Sequence, residues 1–167
     1  MSLQVDFAVE WLKVRRPYSV AYIGWRHDTN CAPLVWCKDN HVYTTIIEAY
    51  APNALCAVER GHTVVTGRID QLVSSRQLGA YSCALWLHGP EHVDRDTMWY
   101  TLGGLISRCP RVLIQTPIGY DPQGVYEGNP YEVHQQSLLP RDFYSMGWQT
   151  EERYSEQENT FSAWVDG

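Results

Sequence analysis

Val20-Ala21-Tyr22-Ile23-Gly24-Trp25, followed further on by Val42-Tyr43-Thr44-Thr45-Ile46-Ile47-Glu48, sets the reading of the whole chain. Tyr18 to Ile23 is an apolar and aromatic run, interrupted only by Ser19 and stopped by Gly24, the mark of a buried strand. Val42 to Ile47 is a second strand rich in β-branched residues, and it ends on a carboxylate, Glu48. These are the first two of five such strands that a closing pair follows, and an open sheet of that kind binds ligands at the carboxyl ends of its strands.

The same rhythm continues in both directions. Upstream, residues 4 to 14 place Val5, Ala8, Val9 and Leu12 on one helical face, and Arg15, Arg16 and Pro17 close that helix. Downstream, Pro52 to Arg60 predicts a short helix with proline in its first turn and Gly61 past its end. His62 to Val65 is the third strand, and Gly67 leads into a polar helix around Asp70 to Arg76. Tyr81 to Leu87 is the fourth, Asp94 to Cys109 the longest helix, and Arg111 to Gln115 the fifth strand. Thr116 to Leu139 is irregular and rich in Gly and Pro. Pro140 to Met146 is a short helix, and Trp148 to Arg153 with Thr160 to Val165 forms a closing antiparallel pair. Alternating βα units predict an α/β fold, a doubly wound, mostly parallel, seven-stranded sheet with an antiparallel C-terminal strand. No linker divides residues 1–167, so a single domain is expected.

Composition narrows the function. The formal net charge is −6, and Lys13 and Lys38 are the only lysines among 13 basic residues. That balance does not indicate nucleic-acid binding, which needs a basic face; the late acidic run Glu151, Glu152, Glu156, Glu158 reads as a solvated edge. Five cysteines form an odd set without a CxxC pair, so a reducing cytoplasm is expected, with Cys83 and Cys109 as small core residues. No stretch approaches membrane-spanning length. A phosphate-cradling loop and a G-x-S-x-G motif are both missing, which sets aside nucleotide- or sugar-processing chemistry on a similar sheet. His88-x-x-Glu91-His92 has a zinc-like spacing, but Gly89-Pro90 disfavours the helix that would align both histidines, and no third ligand is apparent nearby. Glu91 and His92 are expected to cap and pack the next helix, and the strand-end Trp25 and Trp86 to pack in the core or at its rim.

The later part of the chain carries a resemblance. Gln115-Thr116-Pro117-Ile118-Gly119 with Gln123, then Gly128-Asn129-Pro130-Tyr131-Glu132-Val133-His134, then Pro140-Arg141-Asp142-Phe143 and Gly147-Trp148, resembles a segment of one subgroup of class I S-adenosylmethionine (SAM)-dependent methyltransferases. Leu87 to Val93 is similar to the stretch after the fourth strand in many members. The likeness covers nearly the whole chain. It implies SAM as cofactor, with contacts from Ile23, Gly24, Trp25, Glu48, Ala49, Arg68, Ile69, Leu87 and His88. Glu48 would then accept hydrogen bonds from both ribose hydroxyls. His134 and His88 stand where a general base for the methyl acceptor is expected; a loop-pinning role for His134, with Asn129, is the other reading. The acidic net charge tilts the expected acceptor toward a small molecule.

Two departures bear on this. The family's cofactor loop reads G-x-G-x-G, whereas Arg26 and Asp28 follow Gly24 at the second and third glycine positions. Arg68 occupies the place of an acidic residue that meets the adenine amine. Both favour an alternative of another class, a catalytically inactive methyltransferase-like domain that serves as a binding module.

Overall fold

The structure, a computed structural model, describes residues 3–26, 31–154 and 159–167; Asp28, Glu156, Glu158 and the side chain of Val5 lie outside that set. Seven strands form one sheet: β1 (Ser19–Ile23), β2 (Tyr43–Glu48), β3 (Thr63–Thr66), β4 (Cys83–Leu87), β5 (Arg111–Pro117), β6 (Gln149–Tyr154) and β7 (Asn159–Asp166). Their order is β3-β2-β1-β4-β5-β7-β6. The first five pair in parallel, while β7 runs antiparallel between β5 and β6. The chain therefore winds outward from β1 to β3, returns to the other side of β1, and leaves a crevice at the carboxyl ends of β1 and β4.

The helices are α1 (Leu3–Arg15), α2 (Ala32–Asp39), α3 (Ala51–Glu59), α4 (Ile69–Ser74), α5 (Arg95–Arg108) and α6 (Pro140–Tyr144). They cover the sheet in two groups. On one face Val20, Tyr22, Ile46 and Leu85 meet Phe7, Trp11 and Leu12 of α1, Leu34 and Cys37 of α2, and Ala57 of α3. On the other, Ala21, Ile23, Ala84 and Ile114 meet Leu72 of α4, Met98, Leu102 and Leu105 of α5, and Phe143 of α6. Alternate residues of β1 thus enter opposite cores, which is why that strand is apolar from Val20 to Ile23. Each large side chain fully buried there contributes roughly 1.5–3 kcal/mol.

Several expectations shift. On α1, Ala8 and Leu12 are buried and Val9 is only half-buried, because Phe7 and Trp11 turn the packed stripe one residue around the helix. Thr116 and Pro117 belong to β5 rather than to the loop after it. Helix α2 occupies a segment to which the sequence pattern assigned no element; Pro33 opens it, and Leu34 and Cys37, three residues apart, bury one face. Cys83 and Cys109 are core residues as expected, and all five thiols are free.

Candidate functional site

The crevice at the strand ends is a cavity of about 850 Å³. The turns after β1, β2, β3 and β4 form one side of it, and the long segment 118–139 forms the other. All nine residues expected at the cofactor (Ile23, Gly24, Trp25, Glu48, Ala49, Arg68, Ile69, Leu87, His88) line this space, and so does His134. Parallel register explains part of the convergence. Ile23 lies opposite Ile47 and Trp86, so Gly24, Glu48 and Leu87 leave the sheet at one level.

Gly24 takes φ +78 and donates its N–H to the Ile47 carbonyl at 2.9 Å. That left-handed backbone is where glycine avoids strain. Glu48 is 5% exposed, and its two oxygens accept the backbone N–H groups of Trp25 (2.7 Å) and Tyr50 (2.6 Å). Burial, aided by the Glu132 carboxylate, pushes its pKa up, the backbone N–H groups of Tyr50, Trp25 and Ala49 pull it down, and burial prevails. A carboxylate has about four acceptor positions, so capacity remains for hydroxyl donors in the cavity.

The two arginines that break the family pattern are both engaged. Arg26 is not among the described residues with positive φ, so its backbone does not require glycine. Its guanidinium lies 4.3 Å over the Tyr126 ring and 4.0 Å from Glu132 Oε2, both on the long segment. Arg68 holds Asp70 through two parallel hydrogen bonds, Nε to Oδ1 at 3.0 Å and Nη2 to Oδ2 at 2.9 Å. Asp70 also lines the cavity, so a carboxylate stands there after all, two residues later than the family pattern places it. Trp25 and Trp86 are both buried while lining the cavity. The Trp86 indole fills the space where a Cβ on Gly89 would stand.

His88 follows β4 in the left-handed region at φ 51, which a non-glycine residue rarely adopts. Its N–H donates to the Gln115 carbonyl at 2.8 Å, and its Nδ1 is 3.6 Å from Glu91 Oε1. Glu91 and His92 do not cap α5. Asp94 does so, accepting from the Thr97 N–H at 3.0 Å. The short 3-10 turn Pro90–His92 instead presents Glu91 to the cavity, where it is 3% exposed and its Oε2 accepts from the Thr116 hydroxyl at 2.9 Å. Burial opposes its ionisation, but neighbouring His88 and His92 outweigh this and hold the carboxyl below its ordinary range.

The long segment is tied down by its own side chains. Asn129 caps the turn Pro130–Glu132 by accepting from the Tyr131 N–H at 3.0 Å. Gln136 Nε2 donates to the carbonyls of Pro90 (2.9 Å) and Val93 (2.8 Å), and Gln135 Nε2 to that of His92 (2.6 Å). His134 sits between these anchors with Nδ1 on the Asp121 carbonyl. Sequence reasoning missed Glu91 and Asp70 as cavity residues. The His88-x-x-Glu91-His92 spacing was the available signal for Glu91, while His134, whose ring packs 4.9 Å from that of His92, arrives from a distant loop.

Comparison with solved structures decides what this frame is. A SAM-dependent methyltransferase from Archaeoglobus fulgidus is similar over 98% of this chain and 94% of its own, at TM-score 0.66 and 13% identity. The fold is that of the class I SAM-dependent methyltransferases. The same methyltransferase fold occurs in the N-terminal domain of EvdMO1 with S-adenosylhomocysteine (SAH) bound, which has TM-score 0.70 and 10% identity and is covered over 82% of its chain by 100% of this one. It occurs again in magnesium protoporphyrin IX methyltransferase from Synechocystis PCC 6803 with bound SAM, at TM-score 0.67, 14% identity and coverage of 98% and 78%. No protein-family model matches the chain, and no curated protein matches it by sequence.

Proposed function

We propose that this chain is a SAM-dependent methyltransferase acting on a small-molecule acceptor. One observation carries the reading. In a methyltransferase fold, the strand-end glycine Gly24, the buried strand-end carboxylate Glu48 and the residues after β3 and β4 converge on one cavity. The residues present suit the cofactor. Glu48 keeps acceptor capacity for a vicinal diol, Gly24 leaves its surroundings open, and Arg68, Ile69 and Asp70 border the neighbouring stretch of wall.

When bound, SAM supplies an electrophilic methyl group on a sulfonium. The chain's own task is to hold the acceptor in line and to take its proton. His88 and His134 are the imidazoles we assign to proton acceptance. The Nδ1 of His134 faces a carbonyl, which can only accept, so that nitrogen carries the proton and Nε2 keeps its lone pair. A cleft of this size suits a small acceptor. Free thiols fit a reducing compartment, and we place the protein in the cytoplasm on that ground. No described helix is long and apolar enough to cross a membrane.

Calorimetric titration with SAM and SAH tests the reading. The expected result is micromolar binding, weakened about 100-fold or more in Glu48→Ala, since hydrogen bonds to a charged acceptor contribute about 1.5–3 kcal/mol each. Circular dichroism of the variant shows whether the fold survives loss of the acceptor for Trp25 and Tyr50. Absence of binding by the folded parent protein would sink the proposal.

A further inference from the structure

Three donors from two separate segments meet in the cavity wall. One ligand atom each from Glu91, His92 and His134 lies within 4.8 Å of the other two. Donors around a tetrahedral zinc-sized ion stand about 3.4 Å apart, given bond lengths near 2.1 Å, so small side-chain rotations close the set.

The polar bookkeeping at this cluster is incomplete. Glu91 Oε2 is satisfied by Thr116, but Glu91 Oε1 is buried without a hydrogen-bond partner among the described residues. It stands 3.6 Å from His88 Nδ1 and 4.0 Å from His92 Nε2. The other ring nitrogen of His92, Nδ1, is also buried without a partner among the described residues. An unsatisfied buried polar atom costs about 1–3 kcal/mol, and an ion is one of the standard reasons for such an atom to persist. The outer contacts are those of a ligand shell. The Asp121 carbonyl holds Nδ1–H of His134, leaving its Nε2 as the donor, and the Thr116 hydroxyl orients the carboxylate.

We propose that Glu91, His92 and His134 bind one divalent transition-metal ion of the zinc–cobalt class, with a coordination position open to the cavity. Two imidazoles and one carboxylate suit borderline ions, whereas magnesium and calcium take oxygen donors. Three protein ligands leave room for an exogenous oxygen donor, which fits an acceptor that carries a hydroxyl. The zinc-like spacing His88-x-x-Glu91-His92 is used differently from a helical motif. The turn supplies Glu91 and His92, the long segment supplies the third ligand, and His88 stands beside the same carboxylate oxygen. With an ion bound, the His134 lone pair is committed to it, and His88 is the imidazole left for proton acceptance. The site stands on side-chain geometry and does not rest on the methyl-transfer reading.

Chelator-stripped protein titrated with Co²⁺, followed by visible absorption, tests it, with Zn²⁺ then displacing the Co²⁺. Expected are one ion per chain, d–d bands, and no strong near-ultraviolet thiolate-to-cobalt band. Affinity should fall at least 100-fold in His134→Ala and in His92→Gln, and stay unchanged in Cys31→Ser and Cys56→Ser. If either histidine variant misfolds, the parent spectrum still separates imidazole–carboxylate from thiolate ligation. The proposal is overturned by no binding to the folded parent, by undiminished binding in folded histidine variants, or by a thiolate band lost in a cysteine variant. SAH titration of the same samples keeps the two readings apart. Metal binding without SAH binding leaves this site standing and fells the methyl-transfer proposal, and the opposite pattern does the reverse.

Discussion

A thiol buried in an apolar core resists ionisation, because the thiolate loses its hydration there. Burial raises Cys109, at the end of α5, from 9.0 to about 11, and pushes Cys83 in β4 up as well. The folded-state pKa is the higher one, so the contribution to stability is fully present below pH 9 and is lost as pH rises through 11. A gap of this size corresponds to roughly 2–3 kcal/mol for Cys109. The urea midpoint of the parent should fall between pH 9 and 11, and Cys109→Ala should narrow the difference at alkaline pH after a small loss at neutral pH. Parallel curves for the two proteins would count against the argument. The identity of such residues was legible because a cysteine in an apolar run has little else to do. Glu48 was legible as a strand-end acid, but its two bonds to the Trp25 and Tyr50 backbone were not. Those depend on how two turns fold over one carboxylate.

Helix α5 carries two adjacent glycines that the packing treats differently. A Cβ on Gly103 meets nothing within 4 Å, whereas one on Gly104 runs into the Val73 side chain of α4. Gly103→Ala should therefore stabilise the protein by about 0.5–1 kcal/mol through helix propensity alone. Gly104→Ala should destabilise it by about 1–3 kcal/mol, as overpacked contacts do. Thermal melts of the two variants measure both signs, and a gain in each would mean that the α4–α5 contact yields freely. The elements themselves were mostly readable, because β-branched runs punctuated by glycine leave few alternatives. Helix α2 was not. It is eight residues long, and its three buried positions, Pro33, Leu34 and Cys37, make too short a periodic signal to stand out from a loop. The turn Pro90–His92 escaped for a related reason: Gly89-Pro90 argued rightly against a long helix and said nothing about a single 3-10 turn that points a carboxylate inward.

Across the whole molecule, the mostly parallel character of the sheet followed from the alternation of elements, since successive βα units lay their strands in parallel. The closing of the cavity did not, because it is made by contacts between residues far apart in the chain. Arg26 reaches Tyr126 and Glu132, and Gln135 and Gln136 reach the turn after β4. An arginine that sequence comparison marks as a defect in a glycine loop thereby becomes a tether for the segment opposite. A cation–π contact at a partly exposed site contributes about 0.5–1 kcal/mol, which is small against the stability of the domain but large for a loop. Removing it in Arg26→Ala should raise the open population of segment 118–139 about 2- to 5-fold by that arithmetic, without moving the global melting temperature. Tyr120, Tyr126 and Tyr131 are all exposed, so native-state proteolysis with chymotrypsin reads this population directly when reclosing outpaces cleavage. The expected outcome is a 2- to 5-fold faster cut within the segment at an unchanged melting temperature. Equal cleavage rates would show that the glutamine anchors hold the segment by themselves, and that Arg26 contributes nothing to closure.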